Sequence, residues 1–219
     1  MGVCIMGNPF FSIIMPSYLG EYSRAASNRD KKIVRAIDSC LDQEYFELIV
    51  IADGCDKTIE IVRNNFLGEE NIRLFYIKPR NIKNRKRNAG SSGTPRNAGL
   101  QQAKGEYAIY LDIDDVYLDG YLESLKKEMT DSLDWYYFDD MSWNVNTKKF
   151  DRHGVDIHGE GLCGTSNICH KLSMNAWWND HGYLHDWYFI NSLKAISDKY
   201  RKLNTAGFGI CHVPGLLDV

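Results

Sequence analysis

The stretch that decides the fold is Tyr107-Ala-Ile-Tyr-Leu-Asp-Ile-Asp-Asp115. Its five leading apolar residues predict a buried strand, which runs directly into three carboxylates. In open α/β sheets, ligands bind outside the carboxyl ends of the strands. Carboxylates crowded at such an edge repel one another unless a cation or ligand offsets them, and oxygen ligands of this kind suit Mg²⁺ or Mn²⁺. The alternative interpretation is a solvated acidic turn that caps the next helix.

Upstream of this stretch, short apolar runs alternate with segments of helical periodicity. Pro16 closes the first run, and Thr94 is a natural N-cap with Pro95 at the first helical position. This order predicts an α/β fold with parallel strands between layers of helices. The predicted strands are 10–15, 48–52, 72–77 and 107–111, and the predicted helices are 31–41, 57–66 and 94–104.

The second half of the chain is less regular. Its pattern predicts a helix over 121–129, a strand over 135–138, a loop over 150–165 and a closing strand over 206–213. Residues 175–179 and 186–196 both have helical character. No internal repeat or low-complexity linker divides the sequence, so we expect residues 1–219 to form a single domain.

The charge pattern favours a local anion over a long polyanion. The 219 residues carry a formal charge of −3, yet residues 78–87 hold six basic side chains and no acidic one. The 20 remaining Lys and Arg residues face 29 Asp and Glu residues, a formal charge of −9. A basic strip without interleaved aromatics on an acidic body argues against nucleic acid as a partner.

Several other classes are excluded or disfavoured. The turn after the first strand is Pro16-Ser-Tyr-Leu-Gly20, which lacks the Gly-x-Gly-x-x-Gly pattern of a dinucleotide-binding enzyme. The six cysteines form no Cys-x-x-Cys pair, which disfavours a zinc site. No apolar run reaches the length of a membrane span, and the first residues lack the pattern of a signal peptide. We therefore expect a cytoplasmic protein.

Three predicted strands end in side chains suited to a nucleotide. Pro16 and Tyr18 follow the first strand, Asp53 follows the second, and the acidic cluster follows the fourth. An aromatic face can stack on a base, a carboxylate can accept its N–H group, and a metal site can hold a diphosphate. Arg96 and the basic residues of 78–87 supply the positive charge for phosphate oxygens.

Five segments, in order and spacing, resemble the inverting family-two glycosyltransferases of the GT-A fold. The resemblance is densest between residues 11 and 122, and Asp112-Ile-Asp114 corresponds to the DxD motif of that family. It implies a nucleotide-diphospho-sugar transferase fold, with a mostly parallel mixed sheet flanked by helices. The matching segments are Ser12-Ile-Ile-Met-Pro-Ser-Tyr18, Arg35-Ala-Ile-Asp-Ser-Cys-Leu-Asp-Gln43, Phe46-Glu-Leu-Ile-Val-Ile-Ala-Asp-Gly54, Gly93-Thr-Pro-Arg-Asn-Ala-Gly99 and Lys104-Gly-Glu-Tyr-Ala-Ile-Tyr-Leu-Asp-Ile-Asp-Asp115.

The resemblance assigns a donor site to the first half, about residues 10–115. Pro16 and Tyr18 would line the nucleoside pocket, Asp53 would bind the base, typically uracil, and Asp112 would lie near the ribose or the donor sugar. The sequence departs from the family at Ala52, where a first Asp is usual. No role is transferred to that position.

The resemblance also implies a divalent cation, Mn²⁺ or Mg²⁺, bridging the donor diphosphate. Asp114 would ligate it, and His212 corresponds to a late histidine near the metal in many relatives, although a buried structural histidine is an equal alternative. Arg96 would lie by the donor, a task that Arg85 or Arg87 could share.

A general base is needed because an acceptor hydroxyl is a poor nucleophile until it loses its proton. The family carries a Glu-Asp pair at the start of a late helix, and the matching residues here are His185 and Asp186. Asp186 is the candidate base, and His185 could tune it or act itself. The alternative for Asp186 is a helix cap.

The implied activity is an inverting transfer of a sugar from a nucleotide-sugar to an acceptor hydroxyl in glycan or polysaccharide synthesis. Residues 116–219 would bind a glycan or lipid-linked glycan acceptor, with 161–167 shaping the pocket. Trp177 and Trp178 would either stack on a sugar or belong to the core. The basic strip suggests peripheral association with the cytoplasmic membrane face. A non-catalytic relative that binds nucleotide-sugars, a partner-dependent subunit and a nucleotidyltransferase are the alternatives.

Overall fold

The computed structural model describes residues 9–20, 28–79, 92–180 and 184–211. The strands are β1 (Phe11–Ser17), β2 (Phe46–Asp53), β3 (Ile72–Ile77), β4 (Tyr107–Tyr110), β5 (Val116–Tyr117), β6 (Trp135–Asn144), β7 (Lys149–His153), β8 (Ile168–Lys171) and β9 (Tyr200–Ile210). The helices are α1 (Arg29–Leu41), α2 (Asp56–Phe66), α3 (Gly93–Gln102), α4 (Tyr121–Glu128) and α5 (His185–Ile196). Within these ranges the nine strands form one sheet, ordered β3-β2-β1-β4-β8-β6-β9-β5, with β7 paired to β6.

The first four strands of that order are parallel and follow the sequence prediction closely. In the register, Ile13 of β1 lies between Leu48 of β2 and Ile109 of β4. The prediction that Pro16 ends β1 is wrong, since the strand continues to Ser17. Because β4 pairs only with the Phe11–Ile14 part of β1, Pro16 lies where β1 has one neighbour, a position that tolerates a residue without an N–H group.

Helix α3 packs against β1 at a distance that only glycine allows. A Cβ atom on Gly99 would lie 2.6 Å from Cγ2 of Ile14. The predicted N-cap at Thr94 is wrong, because Ser92 is the N-cap and the helix begins at Gly93. The Thr94 N–H instead donates to Oδ1 of Asp180 at 3.0 Å, so a later segment of the chain caps this helix.

The second half of the sheet departs from the prediction. Strand β6 has ten residues where four were expected, and it pairs with β7, four of whose five residues fall in the predicted loop. Strand β8 inserts antiparallel between β4 and β6. By these pairings six of the nine strands described run in one direction, so the expected mostly parallel mixed sheet flanked by helices is confirmed.

Two other predicted boundaries also change. Residues 175–179 are not helical, because a short 3₁₀ turn at Leu172–Met174 ends at Asn175 with a φ of 50° and the chain then runs across the start of α3. Strand β9 begins at Tyr200, earlier than expected, and part of the predicted closing strand lies outside the described residues. Within the described ranges, no helix is both long and apolar enough to span a bilayer.

The strand directions bring both halves of the chain to one edge. Strands β1, β2 and β4 are parallel, so their carboxyl ends lie side by side. Strand β8 runs the opposite way against β4, so its amino end, preceded by the 3₁₀ turn Thr165–Asn167, lies at the same edge. This edge, which we call the carboxyl edge, carries the candidate site.

Candidate active site

One side of the carboxyl edge is built from the ends of β1 and β2. Ser17 of β1 pairs with Ala52 of β2 in the register. Pro16 and Tyr18, the two neighbours of Ser17, therefore lie close to Asp53, which follows Ala52 and is buried. Gly20 makes room for Tyr18, since a Cβ atom there would overlap the phenol ring. The fold therefore places the three residues predicted for the nucleoside next to one another.

Arg96 and Asp112 form the second part of the site. The Arg96 side chain, on α3, is 2% exposed, and its Nη2 donates to Oδ1 of Asp112 at 2.9 Å. Its Nη1 donates to the hydroxyl of Ser92, and its guanidinium lies 4.9 Å from the ring centre of Trp178. Asp112 exposes 42% of its side chain, so the pair presents an anchored carboxylate at the edge.

The three carboxylates of the acidic cluster have different surroundings. Asp115 is buried, and its Oδ1 accepts the N–H of Cys211 at 2.8 Å, which joins the acidic turn to the end of β9. The carbonyl oxygen of Asp114 accepts a hydrogen bond from Nη2 of Arg35 on α1 at 2.6 Å. Asp115 therefore has a structural role, whereas the side chains of Asp112 and Asp114 are only partly buried.

A metal site made of protein ligands alone is not formed in the described part of the chain. There, no group of three or more His, Cys, Asp and Glu side chains is arranged to hold a metal ion. His212, the predicted further ligand, lies outside the described residues, as do Arg85 and Arg87 and most of the basic strip.

His185 and Asp186 open helix α5, as the sequence predicted. His185 Nε2 lies 3.1 Å from Oδ1 of Asp186, and the hydroxyl of Thr165 donates to the same oxygen. Burial opposes ionisation of Asp186, but the hydrogen bond and charge of His185, the charge of Arg96 and the Thr165 hydrogen bond outweigh it. The pKa of Asp186 is therefore lowered, and the group is a carboxylate at neutral pH.

A clasp of side chains joins the two parts of the site. Asn97, next to Arg96 on α3, forms two hydrogen bonds with the backbone of Trp178. The Trp178 indole stacks on Phe189 of α5 at 3.8 Å. We call Asn97, Trp178 and Phe189 the α3–α5 clasp. Of the two tryptophans considered as sugar platforms, Trp178 belongs to the core and Trp177 is 47% exposed.

Sequence reasoning missed three contributors to this geometry. Thr165 falls inside the stretch predicted to shape the pocket, but nothing local indicates that its hydroxyl meets Asp186. Asn97 stands in the Arg-Asn-Ala-Gly segment without a predicted role. Arg35 stands in a matched segment, and its bond to the Asp114 carbonyl spans 79 positions of sequence.

Comparison with known proteins identifies the family. The family described as Glycosyl transferase family 2 matches residues 12–198. The chain belongs to glycosyl transferase family 2. This family 2 protein is similar over its fold to the crystal structure of TarS residues 1–349 from Staphylococcus aureus in complex with UDP-GlcNAc, with a TM-score of 0.67 and 19% identity. That match covers 91% of this chain and 57% of the other, and the expected GT-A fold is confirmed.

Curated relatives of this family 2 chain match it in part. An uncharacterized glycosyltransferase of Haemophilus influenzae is 36% identical over 121 residues, 54% of this chain and 41% of the relative. The Campylobacter jejuni GalNAc(5)-diNAcBac-PP-undecaprenol beta-1,3-glucosyltransferase is 28% identical over 166 residues, 74% and 47% respectively. The S. aureus poly(ribitol-phosphate) beta-N-acetylglucosaminyltransferase TarS is 30% identical over 110 residues, 48% and 16%. The chain spans less than half the length of each of these relatives.

Proposed function

We propose that this family 2 chain is an inverting glycosyltransferase that moves a sugar from a nucleotide diphosphate sugar, first of all a UDP-sugar, to an acceptor hydroxyl. One observation carries the proposal. An ionised carboxylate, Asp186, is held at the same edge as the anchored Arg96–Asp112 pair, and the charge of Arg96 acts on both. The UDP-GlcNAc complex of TarS supports a UDP-sugar as the first donor to test.

On the donor side, each residue has a chemical task. Tyr18 and Pro16 offer an apolar surface to the base, and Asp53 offers a carboxylate to a base N–H group. The Arg96 guanidinium fixes Asp112 at the strand end, where a ribose or sugar hydroxyl can donate to the carboxylate oxygens.

Asp112 and Asp114 fit a divalent cation that is shared with the substrate. Mg²⁺ typically keeps several waters and is bound through one or two carboxylates plus substrate phosphates, and a pair of partly buried carboxylates supplies that minimum. We propose Asp114 as its ligand, with His212 as a further one. When bound, Mn²⁺ or Mg²⁺ would neutralise charge on the departing diphosphate.

On the acceptor side, Asp186 takes the proton of the acceptor hydroxyl. The acceptor oxygen forms a bond to the anomeric carbon of the donor sugar from the face opposite the diphosphate. The bond between that carbon and the diphosphate oxygen breaks, and its electron pair leaves with the nucleoside diphosphate. A single displacement of this kind inverts the configuration and leaves no covalent enzyme intermediate.

The names of the relatives support an acceptor class. Two of the relatives described above are named for an undecaprenol-linked glycan and for poly(ribitol phosphate). We propose a glycan or lipid-linked glycan acceptor in polysaccharide biosynthesis, at a cytoplasmic location with peripheral association with the membrane through the basic strip 78–87.

A binding and turnover experiment tests the proposal. Thermal unfolding is followed with UDP, GDP, CDP and TDP, each with and without Mn²⁺, and UDP release from UDP-GlcNAc is then measured. A ligand at 100 times its Kd adds about 2.7 kcal/mol to the free energy of unfolding. We expect a shift with UDP that needs Mn²⁺ and is lost in Asp114→Ala.

Asp186→Asn separates binding from chemistry. This variant should keep the UDP shift and lose turnover by about 10²- to 10⁴-fold, because a general base is worth that much in rate. Normal turnover by Asp186→Asn would contradict the base assignment. UDP binding by the wild-type chain without release from any UDP-sugar would favour the non-catalytic alternative.

A further inference from the structure

Thr165 meets Asp186 from a different part of the fold. It is the first residue of the Thr165–Asn167 turn, which leads into β8, and it is 4% exposed. Asp186 lies on the first turn of α5, 21 positions later in the sequence. The hydrogen bond between them therefore ties the catalytic helix to the sheet.

Hydrogen bonds to β6 fix the turn that carries Thr165. Oδ1 of Asn167 accepts the N–H of Gly164 at 3.0 Å. Nδ2 of Asn167 donates to the carbonyl of Phe138 at 3.2 Å and to Oδ2 of Asp140 at 3.3 Å. These bonds hold both ends of the turn against β6, so the backbone position from which the Thr165 side chain extends is fixed.

The segment leading to the turn is anchored as well. Oδ1 of Asp139 accepts the N–H of Val155 at 2.8 Å, and Lys202 bridges the same carboxylate oxygen and the Val155 carbonyl at 2.6 and 2.8 Å. Lys194 of α5 donates to the carbonyl of Ile157. The chain on the amino-terminal side of Thr165 is therefore held by β6, β9 and α5.

We propose that Thr165 is a positioning residue for Asp186, whose Oδ1 it holds together with His185 so that Oδ2 receives the acceptor proton. This inference rests on the proposed function. A carboxylate with one oxygen bound by two donors on different elements loses its freedom to rotate, and its other oxygen keeps one direction. Pre-organisation of that kind raises the rate of a proton transfer without altering donor affinity.

The charged surroundings of Asp186 define the effect of removing the hydroxyl. His185 faces it from α5, Arg96 from α3 and the Cys163 thiol from the loop before the turn. Burial opposes the charged form, and the Thr165 hydrogen bond is among the contacts that favour it. Loss of the hydroxyl therefore raises the pKa of Asp186.

The first test needs neither donor nor acceptor. The side-chain carboxyl carbon of Asp186 is titrated by NMR in the full chain, with its signal assigned from Asp186→Asn. We expect Thr165→Val to titrate at higher pH than the wild type, and Thr165→Ser to restore the wild-type value. Thr130→Val is the matched control, because Thr130 is exposed and its hydroxyl contacts Ser132. If Thr165→Val does not fold, Thr165→Ala replaces it.

The second test is turnover. UDP release from UDP-GlcNAc should fall about 10- to 100-fold in Thr165→Val at unchanged donor KM, since a hydrogen bond to a charged group is worth that much. The acidic limb of the pH profile should move to higher pH, and Thr165→Ser should reverse both changes. A wild-type titration in Thr165→Val overturns this inference alone, whereas wild-type turnover by Asp186→Asn overturns the proposed function with it.

Discussion

The side-chain amide of Asn97 forms two reciprocal hydrogen bonds with the backbone of Trp178. Nδ2 donates to the Trp178 carbonyl at 2.7 Å, and Oδ1 accepts the Trp178 N–H at 2.8 Å. Asn97 follows Arg96 on α3, and the Trp178 ring packs on α5 through Phe189. Helix α3, which carries the Asp112 partner Arg96, and helix α5, which carries Asp186, are therefore joined by contacts that include neither carboxylate.

Asn97→Ala should lower the free energy of unfolding by about 1–3 kcal/mol, because two backbone groups of Trp178 lose their partners. Chemical denaturation measures the change. Asn65→Ala is the matched control, since Asn65 also lies on a helix but its amide donates to the exposed Ile61 carbonyl of its own helix. We expect the control to change stability by about 0.5 kcal/mol or less. Equal losses in both variants would show that the two Asn97 hydrogen bonds stabilise the fold no more than the single exposed bond of Asn65 does.

Arg96→Lys should weaken binding of UDP in the presence of Mn²⁺ by about tenfold or more, as charge-assisted hydrogen bonds are lost. Lysine keeps the charge but cannot contact Ser92 and Asp112 with one planar group while it stacks on Trp178. Calorimetric titration provides the measurement, with Arg63→Lys on the exposed face of α2 as the control. Wild-type affinity in Arg96→Lys would remove Arg96 from the donor site.

His170 should make the protein less stable in mild acid. Its Nδ1–H donates to the Lys171 carbonyl at 3.0 Å, so Nε2 accepts the Tyr110 hydroxyl at 2.7 Å, and burial lowers the pKa of the ring from 6.5 to about 4. Above pH 6.5 the ring is neutral in both states. Between pH 6.5 and 4 the unfolded chain binds a proton on this histidine and the folded protein does not. The free energy of unfolding therefore decreases by about 3 kcal/mol in total as the pH is lowered through this range.

Urea unfolding at pH 7, 6, 5 and 4 measures that slope. His170→Gln should flatten it, whereas His158→Gln, at an exposed position, should leave it unchanged. A wild-type slope in His170→Gln would mean that other groups cause the acid sensitivity. Below about pH 4 this histidine adds no further loss, because the folded protein then binds the proton too.

The parallel half of the sheet could be predicted because its signals are local. Strand β2 is buried along its whole length, and its central residues Leu48–Ala52 appear in the sequence as an unbroken apolar run. Helix α1 has regularly spaced buried residues such as Ile33, Ala36 and Ile37. Predicted boundaries in this half fall close to those observed.

The other half depends on long-range pairing. Strand β7 lies at an edge, and four of its five residues are exposed, so its sequence Lys-Phe-Asp-Arg-His has no apolar alternation to mark it. Strand β8 has four residues and exists because β4 and β6 pair with it on either side. Neither feature has a pattern that a window of sequence can detect.

The candidate site shows the same contrast between local sequence signals and contacts made only on folding. Asp53, Asp112 and Asp114 could be predicted because carboxylates at the carboxyl ends of buried strands indicate a ligand site, whereas His185 and Asp186 depend on the family resemblance. The structure brings Arg96 to Asp112 and His185 to Asp186. The roles assigned to them remain predictions. Thr165 could not be singled out, because a hydroxyl acquires its task only from the partner that folding brings to it.

The position of strand β8 also indicates where insertions and deletions can be accommodated in this fold. Because β6 runs against β8 and Tyr137 pairs with Ile168, the chain reaches the carboxyl edge along β6, extends past it as the β6–β7 hairpin and comes back to the same edge at Thr165. The segment that contains the hairpin begins on β6 and ends on β8, and these two strands pair with each other. Lengthening, shortening or replacing this largely exposed hairpin should therefore leave the register of the parallel strands unchanged, so family members can differ in length here without rebuilding the sheet.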